Sequence, residues 1–279
     1  MPAKILVFTQ LNTLTNSATF THPGRLDVPL ISVDLGIWPV RQEAELVGQR
    51  LHEKLGGTLY RPWRDDQFAQ KDQFGKVYRQ HGSWLLIMAT GIAVRFLEGL
   101  PADKKSDPGV VVVDEGCRHV VALLGGHEGG ANALAFVVAN LLGAIPVITT
   151  ASEALKFLVL GVGCRQGSTA EHIERAVQTA LGDRQMSEVR ELATIDLKAK
   201  EPGLLEFCAR HNLPLRSFGQ AQVAQRPWVT EPSQFVKETI GVEGVCEPCA
   251  LMASPRGRLL VPKTSVNGVA VAVVEDSWQ

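Results

Sequence analysis

Short apolar runs alternate with helix-period stretches along most of this chain, and that alternation predicts an α/β fold. Residues 5–8 read as a buried strand, and residues 9–21, rich in Thr and Asn, as loop. From Val40 the apolar positions Val40, Ala44, Val47, Leu51 and Leu55 recur at helical spacing until Gly56 and Gly57 stop them. Residues 60–82 are polar and show no clear period. Continuous apolar runs at 84–89, 110–113 and 120–124 predict buried strands, with turns at Thr90-Gly91 and at 114–116 and a short helix over 92–97. Residues 131–142 are apolar on most sides, which predicts a buried helix capped by Gly143, and 146–150 predicts another strand. Strand, glycine turn, helix and strand in this order predict a βαβ unit within a parallel sheet.

The second half repeats the alternation. Strands are expected at 157–162, 189–195 and 213–218, and helices at 169–181, 203–211, from Ser233 through 240, and over 245–253. Two closing strands, 259–261 and 269–274, flank Asn267-Gly268, a hairpin signal. The expectation is two α/β domains, residues 1–152 and 157–279, with mostly parallel central sheets and glycine-rich strand-to-helix turns.

Composition refines this picture by exclusion. Of 279 residues 45% are apolar and 20% charged, and the net charge is −1, so neither disorder nor a global field toward nucleic acid or an anionic membrane is indicated. The five cysteines, Cys117, Cys164, Cys208, Cys246 and Cys249, are odd in number and scattered, which argues against a disulfide framework and for a reducing compartment. No apolar run approaches the ~20 residues of a membrane span. A cytoplasmic protein with no nucleic-acid or membrane partner is expected.

The run GGHEGG at 125–130 opens the expected helix at 131. Glycines let backbone approach a ligand, and a helix start favours an anion or a developing oxyanion. The spacing is not G-x-G-x-x-G and no Lys-Ser or Lys-Thr follows, so neither a dinucleotide fingerprint nor a P-loop is present. Two readings stand side by side: a ligand turn built from Gly125, Gly126, Gly129 and Gly130, or a tight turn that packs helix on strand. His127 could act as general acid or base, with Glu128 beside it. Ala131 stands where a second His of H-E-x-x-H would be, which excludes a zincin site. Arg95 and Lys104 could clamp carboxylates or could be ordinary surface charges. Asp114 ends a buried strand, where open α/β sheets bind ligands, or is a simple turn residue. In the second half, Cys164 sits at another glycine turn and reads as a buried, inert thiol rather than a thiolate. Cys246 and Cys249 form a lone C-x-x-C, read as helix packing rather than a metal site.

Taken together, GIAVR (91–95), DK (103–104), DPGVVVVDE (107–115), LLGGHEGGAN (123–132) and PVITTAS (146–152) resemble the N-terminal part of the CbiG family. GVGCR (161–165), LATIDLK (192–198), EPGLLE (201–206) and LVPK (260–263) are similar to its C-terminal domain. The family is cobalt-precorrin-5A hydrolase of anaerobic cobalamin biosynthesis. The resemblance implies opening of a δ-lactone on a cobalt-bound tetrapyrrole, with loss of acetaldehyde to give cobalt-precorrin-5B. It implies no cofactor of the protein's own, since cobalt arrives with the substrate. The catalytic residues it implies are His127, Glu128 and Asp114. The substrate contacts it implies are Gly91, Arg95, Lys104, Gly125, Gly126, Gly129, Gly130, Asn132, Thr149, Thr150, Gly163, Arg165, Lys198, Glu201 and Lys263. Neighbouring cobalamin-pathway enzymes and a second copy of the chain are the protein partners to be considered. Two departures stand out: Gly125 replaces the serine of the family's Ser-Gly-His, and the segment that usually separates the halves is missing. A non-catalytic carrier of corrinoid intermediates and an enzyme on a phosphorylated metabolite are the alternative readings.

Overall fold

A computed structural model describes residues 34–226 and 228–277, so the strand expected at 5–8 and the loop at 9–21 lie outside the described residues. The chain divides into two compact units, the first ending at Ile148 and the second beginning at Thr149. Each is described by itself.

Unit 1 runs β1 (Leu35–Pro39), α1 (Glu45–Leu55), β2 (Thr58–Leu59), α2 (Gln70–Val77), β3 (Ser83–Ile87), α3 (Thr90–Leu97), β4 (Gly109–Val113), β5 (His119–Leu124), α4 (Ala131–Leu142) and β6 (Ile145–Val147). The strands form one sheet in the order β2-β1-β3-β4-β5-β6. β1, β2, β3 and β4 are mutually parallel, β5 runs antiparallel to β4, and β6 is parallel to β5. Helices α1 and α4 cover one face through Leu51, Leu134, Ala135 and Val138. On the other face α2 and α3 pack Phe74, Phe96 and Leu97 against Trp38 and Trp84. The Phe74 ring lies 5.3 Å from Trp38 and 4.8 Å from Trp84, both edge-on, and such pairs contribute about 0.5–1.5 kcal/mol each beyond their burial.

Three expectations need correction here. β1 escaped notice because Gly36 and Pro39 read against a strand. Gly36 is needed, since a Cβ there would meet the Trp84 indole at 2.3 Å. Helix α2 lies inside the stretch that showed no period, because it buries only Phe74 before Tyr78 continues the face. The strand expected over 146–150 ends at Val147.

Unit 2 runs β7 (Leu158–Cys164), α5 (Ala170–Leu181), β8 (Val189–Ile195), α6 (Pro202–Arg210), β9 (Leu215–Phe218), α7 (Gln220–Ala224), α8 (Gln234–Ile240), α9 (Cys246–Ala253), β10 (Arg258–Val266) and β11 (Val269–Glu275). The sheet order is β10-β11-β7-β8-β9, with β7, β8 and β9 parallel and the closing hairpin antiparallel. β10 is longer than the expected 259–261. Asn267 (φ 50) and Gly268 (φ 80) make the hairpin turn, as the Asn-Gly pair predicts. Helices α5 and α6 cover one face, and α7, α8 and α9 the other. On α9 itself Cys249 is fully buried and Cys246 nearly so, and burial pushes the Cys246 thiol up to about 12. The C-x-x-C therefore packs a helix, and no group of three or more His, Cys, Asp or Glu among the described residues is placed to hold a metal ion.

Candidate functional site

The direction of β5 decides where the glycine turn lies. β5 pairs Leu124 with Val110 and Val120 with Val113, so its carboxyl end lies beside the start of β4. The turn at 125–130 is thus on the amino edge of the parallel strands. Asp114 follows β4 at the opposite edge, about 17 Å away along five residues of strand. There the Asp114 carboxylate accepts the backbone N–H groups of Arg118 (2.9 Å) and His119 (2.6 Å) and shapes the β4–β5 hairpin. Burial works against the carboxylate, but these N–H bonds and the Arg118 side chain still hold it below the usual carboxylate range. The expected trio of His127, Glu128 and Asp114 is therefore not assembled: Asp114 is a hairpin residue on the far edge.

Within the turn the backbone is tied to itself. The Gly125 carbonyl accepts from Gly129 N (3.0 Å) and Ala131 N (3.2 Å), the Gly126 carbonyl from Asn132 N (3.0 Å), and the His127 carbonyl from Gly130 N (3.3 Å). The N–H groups of Gly129, Gly130, Ala131 and Asn132 are thus already engaged within the turn, which narrows the expectation of a bare anion nest. Gly129 lies directly on the start of β4, where a Cβ on Gly109 would meet the Gly129 oxygen at 2.2 Å. Gly125 (φ 66) and Gly130 (φ 73) take left-handed conformations. At Gly125 and Gly129 the packing-turn reading holds.

What the anchored turn presents outward is His127 and Glu128, both exposed. Lys104, from the loop between α3 and β4, places its ammonium 3.1 Å from the Glu128 carboxylate. That loop is fixed by Asp107, whose buried carboxylate accepts from Ala102 N (2.8 Å) and Asp103 N (3.0 Å) and pairs with Arg79 at 3.2 Å. Glu128 is held below the usual carboxylate range, first by its own backbone N–H and then by Lys104, with His127 adding in the same direction. It stands as a carboxylate beside the imidazole, suited to orient or balance charge and not to donate a proton. Lys104, expected as a free clamp, is thus shared with Glu128. Asn132 lies on the first turn of α4 behind this cluster. Arg95 is exposed on the last turn of α3, and Gly91 lies at the start of that helix on the carboxyl edge. Thr149 and Thr150 follow β6 but belong to unit 2, where the Thr150 carbonyl accepts Glu153 N.

In unit 2 the motifs around Arg165 and Lys198 come together. β7 and β8 are parallel, so their carboxyl ends are neighbours. Glu201, buried at the start of α6, accepts Gly167 N at 2.6 Å through Oε1 and meets Lys198 at 3.6 Å through Oε2. Arg165 projects from the same turn, its aliphatic stem against Gly268, and its N–H donates to the Gly268 carbonyl. Gly163 lies under Val245, where a Cβ would approach at 3.3 Å. Lys263 is set apart on β10, its N–H donating to Glu247. A cleft of about 300 Å³ among Val223, Val229, Val242 and Pro248 is lined by none of the residues expected from sequence.

Burial pushes the Cys164 thiol up to about 11, with Lys198 pulling it back, so it is protonated near neutrality. Cys164→Ser should leave function intact, and iodoacetamide should label this residue far more slowly than a free thiol at about pH 8. Rapid labelling that abolishes activity would show a working thiolate instead.

Comparison with known proteins adds an independent line. The family described as Cobalamin synthesis G N-terminal matches residues 72–153, and Cobalamin synthesis G C-terminus matches residues 158–274. A cobalt-precorrin-5A hydrolase of Salmonella typhimurium is 54% identical over 101 residues, covering 36% of this chain and 28% of that protein. One from Priestia megaterium is 24% identical over 297 residues, covering 71% of this chain and 79% of that protein. Among solved structures, cobalamin biosynthesis protein chiG from Agrobacterium tumefaciens is 30% identical, with a TM-score of 0.33 over 43% of this chain and 98% of that one.

Proposed function

Since this chain belongs to the cobalamin synthesis G (CbiG) family, we propose that it hydrolyses cobalt-precorrin-5A, opening the δ-lactone and releasing acetaldehyde to give cobalt-precorrin-5B in anaerobic cobalamin biosynthesis. The observation that carries the reading is the exposed His127–Glu128 pair, held on a self-tied turn beside Lys104.

In this reading His127 takes a proton from water as the water oxygen bonds to the lactone carbonyl carbon. The tetrahedral oxyanion collapses, the ring C–O bond breaks, and a carboxylic acid and an alkoxide result. The alkoxide electrons form the C=O of acetaldehyde while its bond to the macrocycle breaks, the ring carbon takes up the proton that His127 had removed from water, and the new carboxylic acid ionises to solvent. The charge assigned to the developing oxyanion is the Lys104 ammonium, because the N–H groups of residues 129–132 are engaged within the turn. Glu128 remains anionic and balances the imidazolium. Cobalt is part of the substrate, and its chemistry enters none of these steps. In unit 2, Arg165 and Lys198 are assigned to carboxylate recognition in their own right, with Glu201 fixing Lys198. Among the described residues no helix is long and apolar enough to cross a membrane.

The test is acetaldehyde release from cobalt-precorrin-5A by the full chain. His127→Ala should lower turnover by about 10²–10⁴-fold, the usual worth of general acid–base catalysis, with the melting temperature unchanged. Glu128→Gln should cost less. Binding without acetaldehyde from the wild-type chain would mark a carrier, and full turnover by His127→Ala would remove the histidine from the mechanism.

A further inference from the structure

The carboxyl edge of unit 1 carries a polar device that the proposed chemistry leaves unused. β1 leads through α1 to β2 on one side, and β3 leads through α3 to β4 on the other. Helices α1 and α3 pack on opposite faces. The winding therefore reverses between β1 and β3, and open α/β sheets take ligands in the crevice outside the strand ends at such a reversal. Its floor is Ala89, Thr90 and Gly91, all exposed, with no side chain larger than Thr. Arg41 rises from the end of β1 and Glu115 from beyond β4, two strands away. Such a separation is about 10 Å, and the two side chains close it above the end of β3. Arg41 Nε donates to Glu115 Oε1 at 2.9 Å, and Nη2 donates to Oε2, giving a two-point fork.

We infer that the Arg41 guanidinium is a carboxylate receptor at this crevice, occupied in the free protein by Glu115, which an acidic arm of a polycarboxylate ligand displaces. Three observations carry it. The fork is the arrangement in which Arg recognises any carboxylate, so Glu115 stands where a ligand carboxylate would. The pair is open to water, with the side chains 60% and 30% exposed, and exposed ion pairs contribute little net stability, so exchange meets a low barrier. Glu115 has no visible duty in its turn, because Asp114 alone supplies the carboxylate that binds Arg118 N and His119 N. Glu43 adds negative charge near Arg41 and leaves Arg41 as the cation that the crevice offers from β1. The inference rests on reading the substrate as an acidic tetrapyrrole, but its chemistry is that of carboxylate recognition alone.

The probe is the cobalt complex of uroporphyrin III, an octacarboxylate, titrated into the full-length protein. Glu115→Gln should tighten binding about threefold, since a competitor is removed, and Arg41→Ala should weaken it roughly tenfold, the loss expected of one charge-assisted pair. Arg41→Lys should fall between, because the point charge remains and the fork is gone. The double variant should bind like Arg41→Ala, since Glu115 acts through Arg41. All variants should melt with the wild type. Unchanged or weaker binding by Glu115→Gln, or no probe binding by the wild type, overturns the inference. Acetaldehyde release with an identical Kd in every variant overturns it while sparing the hydrolase reading. Absence of acetaldehyde alongside the expected order of Kd values sinks the hydrolase reading and leaves the receptor standing.

Discussion

Gly109→Ala and Gly129→Ala are each expected to destabilise the protein by about 3 kcal/mol, the upper end of what an inserted methyl costs in a close-packed place. The new Cβ at 109 would lie 2.2 Å from the Gly129 oxygen, and one at 129 would lie 2.7 Å and 2.8 Å from the Gly109 N and Cα. Both sides of the contact are backbone, so no side chain can rotate away, and the strand or the turn must move. The double variant should cost less than the sum, because the two changes disrupt one contact. Gly130→Ala is the control. Its φ is 73, but a Cβ there meets nothing within 4 Å, so only the left-handed backbone penalty of about 1–2 kcal/mol is due. His127→Ala should change stability by less than about 0.5 kcal/mol, as an exposed replacement. Urea unfolding of the full chain gives this order. If Gly129→Ala proved as mild as Gly130→Ala, the glycines would not be there for packing, and the ligand-turn reading would return for them.

That gradient separates what the residues disclosed from what they hid. The helix over 131–142 was legible to the residue, because the glycine run before it and Gly143 after it are strong local punctuation. The buried valines of β4 were equally plain. Nothing local, however, states the direction of a strand. A run such as 119–124 reads the same whether it pairs parallel or antiparallel, and the five-residue link from β4 admits only the antiparallel hairpin. That single fact carries the glycine turn to the amino edge and leaves Asp114 behind. In unit 2 the meeting of Glu201 with Gly167 N was invisible for another reason: it joins residues 34 apart through parallel neighbours. The Arg41–Glu115 fork was missed because Arg41 follows a strand whose Gly36 and Pro39 masked it, so nothing marked it as lying at a strand end. Residue types announced candidate chemistry, and sheet topology decided which candidates share an edge.

The same logic of buried neighbours yields the second large effect, at the amino edge of the unit 2 sheet. Glu191 on β8 is 4% exposed and Arg216 on β9 is 6% exposed. Arg190 bonds Glu191 at 3.0 Å and also Asp276 at 3.0 Å, and Arg256 holds Asp276 at 2.6 Å. Burial pushes the Glu191 carboxyl up, while Arg190 and Arg216 pull it back. Removing either partner of a buried pair costs about 3–5 kcal/mol when the other stays charged, but the two directions are not equivalent here. Glu191→Ala removes the carboxylate that faces the buried Arg216 guanidinium, which does not deprotonate in proteins, while Arg190 keeps Asp276, so a penalty of about 3 kcal/mol, the lower end of that range, is expected. Arg190→Ala leaves a carboxylate that escapes by taking up a proton, so its cost should be smaller. The pH dependence follows from the sign of the shift. With Arg190 gone, the folded-state pKa of Glu191 rises further above its unfolded value, so the folded form binds the proton more tightly than the unfolded one. The Arg190→Ala protein should therefore regain stability relative to wild type as pH falls through the raised folded pKa toward the unfolded carboxylate value, and lose it as pH rises through the folded pKa. Glu191→Ala should show no such recovery, because no carboxyl remains to titrate. Urea midpoints of the two variants across that pH interval give the comparison, and parallel curves for both would show that Glu191 does not carry the charge on which this asymmetry depends.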